Sequence, residues 1–127
     1  EGHAVVAASE DFDAQVGALA GVVADDRFSA VIGHLATIHP SRFVGLVEGI
    51  DYVAWSDVVQ LHDQVQALRL VALVDRLYDA QVGIVNTGIP LDEVFDATML
   101  GGGYRKKYLR ATSRMISLTR RAASPQE

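Results

Sequence analysis

Residues 50–88 constrain the fold more than any other stretch, because two short β-branched runs flank one long amphipathic helix. Ala67, Leu70, Val71, Val74, Leu77 and Tyr78 recur at steps of three and four, which places them on one helical face. Arg69 and Arg76 fall on the other side. Asp63 is suited to cap this helix, since its carboxylate can accept the free N–H groups of the first turn. The helical pattern stops near Gln81. Val82, Gly83, Ile84 and Val85 then form a run too short for a helix, closed by Asn86, Thr87 and Gly88. A similar run covers residues 50–55, ahead of the helix. Strand, helix, strand predicts two parallel strands with the helix packed across them. The fold class expected is therefore α/β, mostly helical, with a small parallel sheet and a C-terminal amphipathic helix.

The flanking segments fit around that unit. Residues 28–38 read as an amphipathic helix with Phe28, Val31, Ile32, Leu35 and Ile38 in one stripe, stopped by Pro40. Ser41 is expected to cap a second short helix with Phe43, Val44 and Val47 inward and Gly49 at its end. Residues 90–99 read as one short helix with Leu91, Val94, Phe95 and Thr98 inward, and with Asp92 and Glu93 complementing its dipole. Residues 101–103 are three glycines and must be a loop. Residues 1–27 read as a boundary or linker region, with an edge strand at residues 4–7 and a weak helix at residues 13–24 that Gly17 and Gly21 weaken by about 1 kcal/mol each. The domain proper is expected at residues 28–122 and a frayed tail at residues 123–127.

Charge is divided unevenly. Residues 103–127 hold seven of the eleven Lys and Arg against one acid, a net of +6, which leaves residues 1–102 with four bases against fifteen acids, a net of −11. In the last helix, expected over residues 104–122, Lys106, Arg110, Ser113, Arg114, Ser117 and Arg121 share one side. Tyr108, Ala111, Thr112, Met115 and Leu118 lie opposite. The basic ridge either serves an anionic surface or folds back onto the acidic body. The glycine triplet opening into Arg105, Lys106 and Lys107 is a candidate anion site, because a helix start exposes N–H groups and three cations there oppose the helix dipole. Gly102, Gly103, Arg105, Lys106, Lys107, Arg110 and Arg114 are its candidate residues. The anion could be a phosphate of ATP held elsewhere, a nucleic-acid backbone or an acidic partner; the alternative is a flexible loop beside a solubilising cluster. Asn86 and Thr87, at a strand end where ligands of parallel sheets gather, are weaker candidates.

Several chemistries are excluded. The chain has no cysteine, so disulfides, thiolate metal sites and cysteine nucleophiles are absent; this suits a reducing, cytoplasmic setting. No apolar run approaches the roughly twenty residues of a membrane span. His34, His39 and His62 lack metal-ligand spacing, and no G-x-S-x-G occurs, so neither a metal site nor a catalytic residue is assigned. Nucleic-acid binding is disfavoured by the acidic body and by the lack of exposed aromatics among the basic residues. A free-standing interaction or dimer module stays open as a rival reading.

The stretch ALRLVALVDRLYDAQVGIV resembles the ArRFI-LiDelYD segment of the ZapE-like P-loop ATPases, a group found in bacterial cell division and in mitochondria, through Arg69, Leu73, Asp75, Leu77, Tyr78 and Asp79. YLRATSRMISLT is similar to the family's F-Rt-SRL-eM helix through Arg110, Ser113 and Arg114, and PLDEVF to the segment between them. The resemblance spans roughly residues 28–119. GGGYRKKYLR departs from the aromatic-rich entry of much of the family, although a bacterial branch carries the basic version. The resemblance implies a parent protein that hydrolyses ATP with magnesium and acts on protein partners. It makes Arg69 and Arg114 candidates for a nucleotide-proximal or inter-domain role. This chain has no G-x-x-x-x-G-K-[ST] loop to hold phosphates and no apolar strand ending in paired acids to hold magnesium. It is therefore expected to be the C-terminal piece of such an ATPase, as its start at Glu1 also suggests. Such a piece would be inactive and cofactor-free alone, with the upstream ATPase core, a protein partner or a second copy as its contacts.

Overall fold

A computed structural model describes residues 9–123 of the chain. Helix α1 (Ser9–Ala18) precedes strand β1 (Val23–Arg27), helix α2 (Phe28–Leu35), a 3-10 turn at Pro40–Arg42, and helix α3 (Val44–Val47). Strand β2 (Tyr52–Val58), helix α4 (Gln64–Asp79) and strand β3 (Gly83–Gly88) form the central unit. A second 3-10 turn at Leu91–Glu93 leads to helix α5 (Ala97–Leu100) and helix α6 (Arg105–Ala123). The three strands pair in the order β1-β2-β3, all parallel, so the βαβ unit inferred from residues 50–88 is present. The fold is α/β and mostly helical, with a small parallel sheet and a C-terminal amphipathic helix.

Alternation along the strands sends side chains to two cores. Val53 and Trp55 of β2 and Ile84 of β3 enter the larger one, with Phe28, Leu35, Leu70, Val74, Leu77, Tyr108, Met115 and Leu118. Tyr52, Ala54 and Val85 turn the other way and pack with Phe12 and Ala122. Both faces of the sheet are thus covered, the usual requirement for parallel strands. Helix α6 lies against α4 and β3 and contributes to both clusters. Gly83 permits this closeness, since a Cβ there would stand 2.7 Å from the Tyr52 ring and 3.3 Å from Ala122 Cα. Asp63 caps α4, its Oδ1 accepting the N–H groups of Val65 at 2.8 Å and Gln66 at 3.1 Å.

Several expectations are corrected. The helix expected over residues 13–24 is α1 at Ser9–Ala18. Residues 23–27, read as part of a linker, form the edge strand β1. Exposed Asp25 and Asp26 hide it from a hydrophobicity pattern, and such charges keep an edge strand from pairing further. The strand expected at residues 4–7 and the end of the tail lie outside the described residues. His39, not Ser41, caps the turn after α2, its Nδ1 accepting the Ser41 N–H at 3.1 Å, and Val44 is 49% exposed. The helix expected over residues 90–99 is broken into a 3-10 turn and α5, because Asp96 is extended and caps α5 by accepting the Met99 N–H at 2.9 Å; Thr98 is exposed.

Candidate functional site

The start of α6 is built by the glycine loop. Gly102 and Gly103 are exposed and line a cavity of ≈ 170 Å³ together with His62, Asp96, Tyr104 and Tyr108. Asp96 holds His62 there, Nδ1 to Oδ2 at 3.0 Å. The Met99 N–H first, and His62 second, hold the Asp96 carboxyl below its ordinary range. Tyr108 is buried with its ring 4.7 Å from that of Phe95, and burial raises its hydroxyl above the usual tyrosine value. Arg105, Lys106, Lys107 and Arg110 are exposed, with the Lys107 Nζ 5.9 Å from the Tyr104 ring centre.

The remaining candidate residues lie apart from this corner. Arg114 donates to Asp75 Oδ1 at 2.7 Å and stacks on the Tyr78 ring at 4.8 Å, with both charged partners largely buried. Arg121 donates through Nε to the Gln81 carbonyl at 2.7 Å. The ridge of α6 is therefore split: Arg114 and Arg121 dock on α4 and its C-terminal end, while Lys106 and Arg110 do not. Arg69 is half-buried on α4 and makes no hydrogen bond or ion pair among the described residues. The i, i+3 pair of Arg76 and Asp79 forms at 3.0 Å on the exposed side.

Asn86 and Thr87 are buried at the carboxyl end of β3. Asn86 Nδ2 donates to the Ile89 carbonyl at 3.1 Å, and Thr87 Oγ1 accepts the Asp57 N–H at 2.9 Å. Asp57, held at φ 58°, also pairs with Arg27 at 2.8 Å, so Arg27, Asp57 and Thr87 link the ends of all three strands. These bonds tie the sheet edge together and give the polar pair a structural task. Gly83 and Gly88 have the five-residue spacing of a phosphate loop, but they bound β3 and are followed by Ile89. Pairing across 30 and 34 residues left no sequence signal for Arg27–Asp57 or His62–Asp96, and the expectation of one helix over residues 90–99 hid the capping role of Asp96.

The family model described as AFG1-like ATPase matches residues 8–125. The chain belongs to the AFG1-like ATPase family. No curated protein and no solved structure matches it. The AFG1-like match agrees with the resemblance carried by residues 28–119 and extends it to include α1 and β1. No group of three or more metal-ligating side chains occurs among the described residues, and none of their helices is long and apolar enough to cross a membrane. Within this AFG1-like chain, β1 passes into α2 without a loop, Arg27 ending the strand and Phe28 starting the helix. The β1–α2 junction, among the described residues, thus leaves no glycine loop between strand and helix.

Proposed function

We propose that this chain is the C-terminal domain of a ZapE-like, ATP-hydrolysing member of the family, acting in the cytoplasm. Nucleotide and magnesium are bound by Walker elements on another part of the same protein, and the domain alone is inactive. Its task is to pack against that ATPase core and to present a contact surface to it, to a protein partner or to a second copy. The observation that carries this reading is the split of α6. Arg114 and Arg121 secure the helix to the domain, which leaves Arg105, Lys106, Lys107 and Arg110 unpaired on the surface among the described residues. Cations placed against the helix dipole without a partner in the domain favour an anionic contact outside it.

Two measurements test the reading. The 127-residue chain is expected to show no ATP turnover above a mock preparation; turnover would overturn it. Charge reversal by K106E/R110E is expected to leave the circular dichroism of the chain unchanged and to lower the ATPase activity or partner binding of the full-length protein. The loss should be greater at low salt, since exposed charges are screened beyond about 10 Å at 0.1 M. Unchanged activity with unchanged folding would reduce the basic patch to a solubilising surface, and unfolding would make it a docking face.

A further inference from the structure

Strand β1 leaves one edge of the sheet open. The strand order is β1-β2-β3, so only one side of β1 is paired among the described residues. The Val22 carbonyl accepts the Tyr52 N–H at 3.2 Å. The period of two then turns the backbone groups of Ala24 and Asp26 toward β2 and those of Val23 and Asp25 outward. The outward N–H and C=O groups have no partner among the described residues. Val22, just ahead of them, is 54% exposed.

A groove of ≈ 470 Å³ adjoins this edge, within the roughly 300–1,000 Å³ range of ligand sites. Buried Val53, Trp55 and Leu73 form its floor, and half-buried Val31 and Leu46 wall it from either side of α2 and α3. Ala24 and Asp26 of β1 line it too, with Asp26 exposed at the rim. The carboxylates of Asp25 and Asp26 make no ion pair or hydrogen bond among the described residues, unlike that of Asp57, which Arg27 holds. An open backbone edge, an apolar groove beside it and two unpaired acids therefore occur together on β1.

We infer that this edge takes an extended, basic and apolar segment of a partner protein, which adds as a further strand beside β1. Its backbone pairs with Val23 and Asp25. An apolar side chain beside Ala24 enters the groove, and basic side chains beside Asp25 and Asp26 meet the two carboxylates. Backbone pairing gives affinity, and the groove and the acids give selectivity. The acids keep acidic and uncharged strands off the edge, whereas a strand carrying cations turns the same charges into attraction. A second copy of β1 would set acid against acid, and residues 1–8 contain no Lys or Arg. A small amine would fill the groove and leave the backbone edge unpaired. Strand β1 lies across the sheet from β3 and α6, so this surface is separate from the basic patch of the proposed function, and either can fail alone.

Amide hydrogen exchange and tryptophan fluorescence of the 127-residue chain test the site, Trp55 being its single tryptophan. The probe is a short peptide with a central leucine and two basic residues on each side, which suits either strand direction. Saturable binding is expected, with a shift of the Trp55 emission and about tenfold slower exchange at the Val23 and Asp25 amides. Replacing the central leucine by serine should weaken binding about tenfold, as for loss of one apolar anchor. D25K/D26K, at exposed positions, should weaken it at least as much without lowering Tm. The peptide variants carry the test if D25K/D26K does not fold. The proposal is overturned by an absence of saturation, by equal binding of a peptide with glutamates in place of the basic residues, or by binding that leaves the Val23 and Asp25 amides unprotected. Hexylamine binding as tightly as the peptide would make the groove a small-amine site, and peptide binding seen only in V5E/V6E would assign the edge to residues 1–8; either result also overturns it.

Discussion

In the first half of α6, Arg105, Lys106, Lys107 and Arg110 face water, whereas in the second half Arg114 is clamped between Asp75 and Tyr78 and Arg121 reaches the Gln81 carbonyl. Arg120 alone among the later arginines is exposed. Periodicity puts Lys106, Arg110, Arg114 and Arg121 on one side of the helix, yet that side is surface at one end and interface at the other. The difference comes from the neighbour. The second half runs beside α4, which offers a carboxylate, an aromatic face and the free carbonyl of Gln81; the first half runs past the 3-10 turn at Leu91–Glu93 and α5. A ridge drawn from helical geometry thus says which residues share a side, and only the packing says what that side meets.

The largest expected effect lies beneath both halves. Leu70→Ala and Met115→Ala each remove a fully buried side chain from the larger core, to which both α4 and α6 contribute, and should cost about 2–5 kcal/mol in a denaturant titration. A cost below that of the arginine substitutions would mean that charge, rather than apolar packing, joins the two helices.

The arginines sharpen the comparison directly. Arg114→Ala breaks a largely buried ion pair and a cation–π contact and should cost about 1–2 kcal/mol, whereas Arg76→Ala breaks an exposed pair and should cost under about 1 kcal/mol. Reversing Lys106 and Arg110 should move stability by less than about 0.5 kcal/mol. If Arg110→Ala proved as costly as Arg114→Ala, the split of the helix would be wrong.

A small acid-side effect belongs to the first half. The folded Asp96 carboxyl is held below its ordinary value of 3.8, so the unfolded chain takes up that proton at higher pH than the folded one. Its contribution is complete above the ordinary value and lost as pH falls through the lower, folded one. The Tm difference between the natural chain and Asp96→Asn should therefore shrink below about pH 4; a difference constant through that range would show that Asp96 does not act as a charge.

Part of the site was readable because its causes are local. Asp63 precedes an apolar periodic run and caps α4 as expected, and the glycine triplet does form a loop before the basic turn of α6. Strand β1 was not readable, since Val23 and Ala24 are followed by two acids and an arginine and only pairing with β2 reveals an edge strand. His62 looked remote from every partner because Asp96 lies 34 residues further on.

By itself the sequence determined the βαβ unit, the amphipathic character of α4 and α6, the charge asymmetry and the family. Each is written in neighbours a few residues apart or in an ordered set of segments. Only the tertiary structure decided that Arg114 is a clamp while Arg110 is surface, that Arg27 and Asp57 join two strand ends, and that His62, Asp96 and Tyr108 line one cavity. Those contacts join residues 30 to 46 positions apart, and no local period encodes them. They arise when burial of the apolar faces of α4, α6 and the strands brings distant polar groups together, and their chemistry follows from that packing.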